Sequence, residues 1–207
     1  ANAINTNYAG AVSVTDCNLV GGINCGVELP NSSFTATNST LAGNTKTWGM
    51  PRTFSLTNVT LGNFQSGGIL WDNDGVARTG LLDSCTINGV MGDVITRIYN
   101  GSSLTLRNMT LDNTMATANG WIRCTEGTMR FERVNFAGAF IHNDADATII
   151  EGQGAKFYFD RCDIDMVSAI TDFNFINLGS SNATQNTAGL VVEMTNCIVK
   201  CDLAKAN

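Results

Sequence analysis

The feature that most constrains this chain is an eight-residue pattern that returns along nearly its whole length. The segments Val12–Leu19, Phe34–Leu41, Phe54–Leu61 and Leu104–Leu111 share one template: apolar, any, apolar, any, Asn-like, small or apolar, any, apolar. Looser copies run over Gly80–Ile87, Met129–Phe136, Phe157–Ile164 and Val192–Val199. The copies begin at residues 12, 34, 54, 80, 104, 129, 157 and 192, so their spacings are 22, 20, 26, 24, 25, 28 and 35. A period of that size marks units that cannot bury an apolar face alone and must stack on their neighbours.

Within a copy, the first and third positions alternate with polar residues, as a strand with one buried face requires. The Asn-like residue then shifts the phase before two more inward positions, which reads as a strand, a corner and a second strand. A further apolar segment recurs between copies, at 23–27, 47–50, 68–71, 94–98, 121–124, 147–150 and 173–176. Each turn of chain thus supplies three short strands. Turns stacked about 4.8 Å apart make parallel sheets whose inward side chains pile like on like. The predicted fold is all-β: a right-handed parallel β-helix solenoid of about eight coils, forming one domain over residues 1–207. Leu56, Leu82, Leu106 and Phe131 are expected to stand in one vertical column.

The fifth template position holds Asp16, Asn38, Asn58, Ser84, Asn108 and Asn196, with Arg133 and Arg161 as exceptions. Asn tolerates left-handed backbone, and its amide can bond the equivalent amide one coil away, so a structural ladder is expected there. The copies Leu56–Leu61, Leu106–Leu111 and Phe159–Ile164 resemble the right-handed parallel β-helix superfamily typified by pectin and pectate lyases and by phage tailspikes. The resemblance spans roughly residues 12–201. It implies an architecture rather than an activity, because enzymes, adhesins and virion parts share this packing device.

Hydrophobic residues make up 43% of the chain and charged residues only 14%, so Asn, Thr, Ser and Gly must supply most of the polar surface. With 18 acidic against 12 basic side chains, the chain lacks the cationic footprint that neutralises phosphates, and nucleic acid is not an expected partner. A membrane is not expected either, since no apolar run reaches the roughly 18–20 residues a span needs. The start at Ala1 shows no signal-peptide pattern, so a processed chain or one cut from something longer is expected.

Four of the seven cysteines, Cys17, Cys85, Cys162 and Cys197, fall on the sixth template position, and alternation turns Cys25, Cys124 and Cys201 inward, so most of the seven read as buried core thiols. Cys162 and Cys197 occupy equivalent sites on adjacent coils, but parallel side-chain vectors would strain a bond between them, so both are expected reduced. Cys201 lies near the end of the last coil, where an intermolecular disulfide could form. No metal-ligand spacing occurs, and neither a metal nor any other cofactor is expected.

The catalytic sets of the resembling polysaccharide-degrading enzymes are not found, and no catalytic residue is assigned. Asp72 and Asp74 read as a turn, His142 as a loop residue, and Asp163 and Asp165 as outward carboxylates on one strand. A strip of Trp71, Asp72, Asp74, Arg97, Tyr99, Trp121, Arg123 and Glu126 would cross three coils on one side, offering aromatic faces and charge to a carbohydrate or protein partner. The expected function is a non-enzymatic structural or adhesive module of a larger extracellular or virion assembly, tailspike-like or capsid-decorating, with other protein subunits covering the open coil ends and glycans as a further ligand class. The alternative is a polysaccharide-binding or depolymerising enzyme.

Overall fold

The computed structural model describes residues 2–5, 10–20, 22–24, 32–42, 48–49, 51–62, 69–70, 76–88, 96–99, 101–112, 122–138, 148–166, 174–178 and 191–201. Among these residues there is no helix. With strands numbered in chain order, one face is an eight-stranded sheet of β1 (Asn2–Asn5), β4 (Gly22–Asn24), β7 (Trp48–Gly49), β10 (Ile69–Leu70), β13 (Thr96–Ile98), β15 (Ile122–Thr125), β17 (Thr148–Gln153) and β20 (Asn174–Asn177). A second face stacks β2 (Ala11–Thr15), β5 (Ser33–Thr37), β8 (Thr53–Thr57), β11 (Thr79–Asp83), β14 (Ser103–Asp112), β16 (Thr128–Ala137), β18 (Lys156–Asp160) and β21 (Val191–Thr195). A third is the four-stranded sheet of β3 (Asn18–Val20), β6 (Thr40–Ala42), β9 (Thr60–Gly62) and β12 (Thr86–Asn88). Beyond these, β19 (Asp163–Met166) pairs with β16 and with β22 (Ile198–Cys201). Every pairing between circuits is parallel, so the chain is a parallel β-solenoid.

Register explains the core. Leu56 lies opposite Leu82, Leu82 opposite Leu106, and Leu106 opposite Phe131, which makes the column the repeat requires. Val14 and Ala36 continue it on one side, and Phe159 and Met194 on the other. The Phe131 and Phe159 rings stack with centroids 4.8 Å apart and planes 8° from parallel. A neighbouring column runs Val12, Phe34, Phe54, Gly80, Leu104, Met129, Phe157 and Val192. Burying each Leu or Phe in such a column contributes about 1.5–3 kcal/mol.

The corners are more uniform than the residue types at them. All eight residues at the fifth template position are left-handed, from φ 49° at Asn38 to φ 56° at Ser84, and Arg133 and Arg161, both at φ 54°, are no exception. Left-handed backbone costs an L-residue roughly 1–2 kcal/mol. Side-chain bonds between circuits offset part of that cost. Asn58 Nδ2 donates to Asn38 Oδ1 at 2.8 Å, and Arg133 Nε donates to Asn108 Oδ1 at 2.6 Å.

Two expectations need correcting. Three separate strands per coil do not hold throughout, because β14 and β16 each run ten residues through the corner. Pairing resumes immediately on both sides of Asn108 and Arg133, with Arg107 opposite Glu132 and Met109 opposite Val134, so the ladder carries the strand across the bend. Cys17 is exposed rather than buried, since β2 and β3, on either side of it, are paired on one edge only among the described residues.

Gly80 shows how size is traded along a column. A Cβ there would lie 2.3 Å from Phe54 Cε1, so the ring of one circuit occupies the volume that the next leaves empty. Gly80→Ala should therefore destabilise the fold by about 1–3 kcal/mol in urea unfolding. Adding Phe54→Leu should recover part of the loss; strictly additive effects would show that the ring does not fill that space.

Candidate functional site

The outward residues of the second face divide along the solenoid. In the first circuits they are uncharged and, Ala11 apart, hydroxyl-bearing: Ser13, Thr15, Ser33, Thr35, Thr37, Thr53, Ser55 and Thr57. From β11 onward one outward column carries charge, with Asp83, Arg107, Glu132 and Asp160 in successive register. Arg107 Nη2 lies 2.8 Å from Asp83 Oδ2, and Asn108 Nδ2 donates to Asp83 Oδ1 at 2.7 Å. The Arg107 hydrogen bond holds the Asp83 carboxyl below its ordinary value, against the opposing effect of burial and with help from Asn108 and Ser84. The next column places the Arg130 guanidinium 4.4 Å from the centre of the Tyr158 ring. Arg161 pairs with Asp160. These charges are engaged with one another. Reading outward template positions in columns, as the inward ones were read, would have found them.

The predicted strip on the first face is assembled only in part. Arg97 and Arg123 are in direct register on β13 and β15, and Arg123 is followed by Glu151, whose Oε2 lies 2.8 Å from Arg123 Nε. Tyr99 is half-buried just past β13, and its carbonyl accepts the Ser102 N–H at 3.0 Å. Glu126 sits at a corner rather than in the strip, exposed and left-handed at φ 56°. Gly101 and Gly154 occupy the equivalent corners of the adjacent circuits. Trp71, Asp72, Asp74 and Trp121 lie outside the described residues, as does His142.

Asp163 and Asp165 share β19, and Asp163 Oδ2 accepts from Lys200 Nζ at 3.0 Å. Among the described residues no group of three or more His, Cys, Asp or Glu side chains could hold a metal ion. Cys17, Cys85, Cys124, Cys162 and Cys197 are free thiols. Cys162 Sγ donates to the Phe131 carbonyl and Cys197 Sγ to the Phe159 carbonyl, the same bond one circuit on. Burial pushes the thiols of Cys85 and Cys162 up to about 11 and that of Cys124 up to about 12. The side chain of Cys201 lies outside the described residues, although its backbone ends β22.

The surface that departs most from the rest is the last circuit. Val192, Met194, Ile198 and Val199 are exposed by 38, 43, 59 and 49%, whereas Phe157, Phe159 and Ile164, one circuit earlier in the same columns as Val192, Met194 and Val199, are 0 to 1% exposed. Among the described residues β20, β21 and β22 each pair on one edge only. At the opposite end β1, β2 and β3 do the same, with Val12 and Leu19 half-buried. No protein family, curated protein or solved structure matches the chain.

Two measurements test this description. Because the Asp83 carboxyl titrates lower in the folded chain, its pairing stabilises the fold above the ordinary value of 3.8 and is lost as pH falls through the folded value. The melting temperature of the native chain should exceed that of Asp83→Asn at neutral pH, with the gap closing below about pH 3.8. With the chain dilute enough that its ends are uncovered, maleimide at neutral pH should label Cys17 and Cys197 well before Cys85, Cys124 and Cys162, as read by peptide mass mapping; equal rates would contradict the buried thiols.

Proposed function

We propose that this chain is a non-enzymatic structural or adhesive module: a right-handed β-helix of eight coils, with the hand normal for parallel crossovers. It serves a larger extracellular or virion assembly in which another protein subunit covers the open coil end. The observation that carries this reading is the last circuit, where Val192, Met194 and Val199, whose column neighbours one circuit earlier are buried, meet solvent beside strands that pair on one edge only among the described residues. Exposed apolar surface beside a free edge favours association and is normally covered or blunted.

The charged groups support the same reading. Asp83 with Arg107, Arg123 with Glu151, Asp160 with Arg161 and Asp163 with Lys200 are ion-paired side by side along the outer surface. A glycosidase needs two carboxylates working as acid and base or nucleophile, one of them with a raised pKa. Among the described residues, the Asp83 carboxyl is moved the other way, held below its ordinary value by Arg107.

Incubation with acidic and neutral polysaccharides should release no new reducing ends and no unsaturated products. Release that survives repurification and is lost on heat denaturation would replace this reading with a depolymerase.

A further inference from the structure

We infer that the subunit covering the β20–β22 end is a second copy of this chain, docked through its β1–β3 end so that the solenoid continues from one molecule into the next. This rests on the reading of the chain as a structural module and names the partner.

The two ends match element by element. β1 and β20 terminate opposite ends of the first sheet, and β2 and β21 opposite ends of the second, so axial stacking extends both ladders in parallel. Template positions then bring Val12 over Val192, Val14 over Met194, Cys17 over Cys197 and Leu19 over Val199. On the first face β20 reads Asn174-Phe175-Ile176-Asn177 and β1 reads Asn2-Ala3-Ile4-Asn5, with a register shift between Asn2 and Ile4. These are the apolar pairings found within the chain between consecutive circuits.

The polar positions match as well. Asn196 and Asp16 are both left-handed corners, at φ 55° and 53°. Stacked, an amide donor meets a carboxylate acceptor, in the place where the corner amide of Asn58 donates to that of Asn38 inside the chain. Glu193 would face Ser13, and Lys200 would face Val20, so no like charges meet. Sheet edges that avoid pairing usually carry proline or several charges. Here β20 has no charged residue, β21 only Glu193, β22 only Lys200, and none of the three has proline. The contact joins two different surfaces by a displacement along the solenoid axis, so it does not close on itself and generates a filament.

The thiols supply the test. Stacking places Cys17 of one copy one strand spacing, about 4.8 Å, from Cys197 of the next. A short bis-maleimide added to the full chain under reducing conditions should give a series of covalent multimers on a denaturing gel, with a Cys17–Cys197 adduct by peptide mapping. Cys17→Ser and Cys197→Ser should each abolish the series while leaving sedimentation of the unmodified chain unchanged. Val199→Lys, at an already exposed position, should keep the native melting temperature and weaken self-association by roughly tenfold or more in sedimentation. A native chain that sediments as a monomer without the adduct, or multimers that survive Cys17→Ser, would overturn the inference. The reducing-end assay separates the two failures: if it stays negative, only the identity of the partner is wrong, and if it turns positive, the module reading itself has failed.

Discussion

The core of this protein is built from columns in which inward side chains stand over their equivalents one circuit above and below. Everything else depends on that vertical contact. Leu56, Leu82 and Leu106 are each buried because the next circuit repeats an apolar residue at the same height, and Phe131 and Phe159 stack nearly parallel for the same reason. A slip of one residue in any circuit would turn its inward set outward. The left-handed corner is what prevents the slip. It recurs in all eight copies of the template, whatever side chain stands there, because the chain must turn at the same point of each circuit to keep the columns aligned.

This dependence has a consequence at the ends. A core built by stacking has no internal stop, and the last circuit leaves Val192, Met194 and Val199 in the same columns as fully buried neighbours but without a next layer among the described residues. The outer surface, by contrast, is neutralised locally by ion pairs and hydroxyls. Surface pairs of that kind contribute little to stability, about 0–1 kcal/mol each. The energetic asymmetry of the molecule therefore lies along its axis, between a satisfied flank and an unsatisfied end, and it is along the axis that association gains most.

Much of the architecture was legible because inward positions carry period-two apolarity and the phase shift at the Asn-like residue is local. The pairing of β8 with β11 and of β11 with β14 follows directly from aligning Phe54–Leu61, Gly80–Ile87 and Leu104–Leu111. The first-face strand β1 was not legible, since Asn2–Asn5 precedes the first copy and has too few apolar residues to register. Nor was the merging of strands in β14 and β16, because Asn108 resembles Asn58 in sequence and only the hydrogen bonds on both sides of the corner distinguish them. Of the carbohydrate strip, Trp71, Asp72, Asp74 and Trp121 lie outside the described residues. The strip assumed that residues near the end of each first-face strand share one line, yet Arg97 and Arg123 are in register while Glu126 stands on a corner with Gly101 and Gly154.

By itself the sequence determined the fold class and the columns of the core, because both follow from residues repeated at a fixed phase within each copy. It also determined that charge would be sparse. Only the tertiary structure decided which side chains meet across circuits on the outside: Asp83 with Arg107, Arg130 with Tyr158, Arg123 with Glu151. Those contacts join residues more than twenty positions apart, and their geometry exists only after each circuit has closed. It likewise decided that the last copy, although it follows the template as its predecessors do, is exposed. Burial there is set by whether a further layer lies above it, which no residue within the copy encodes.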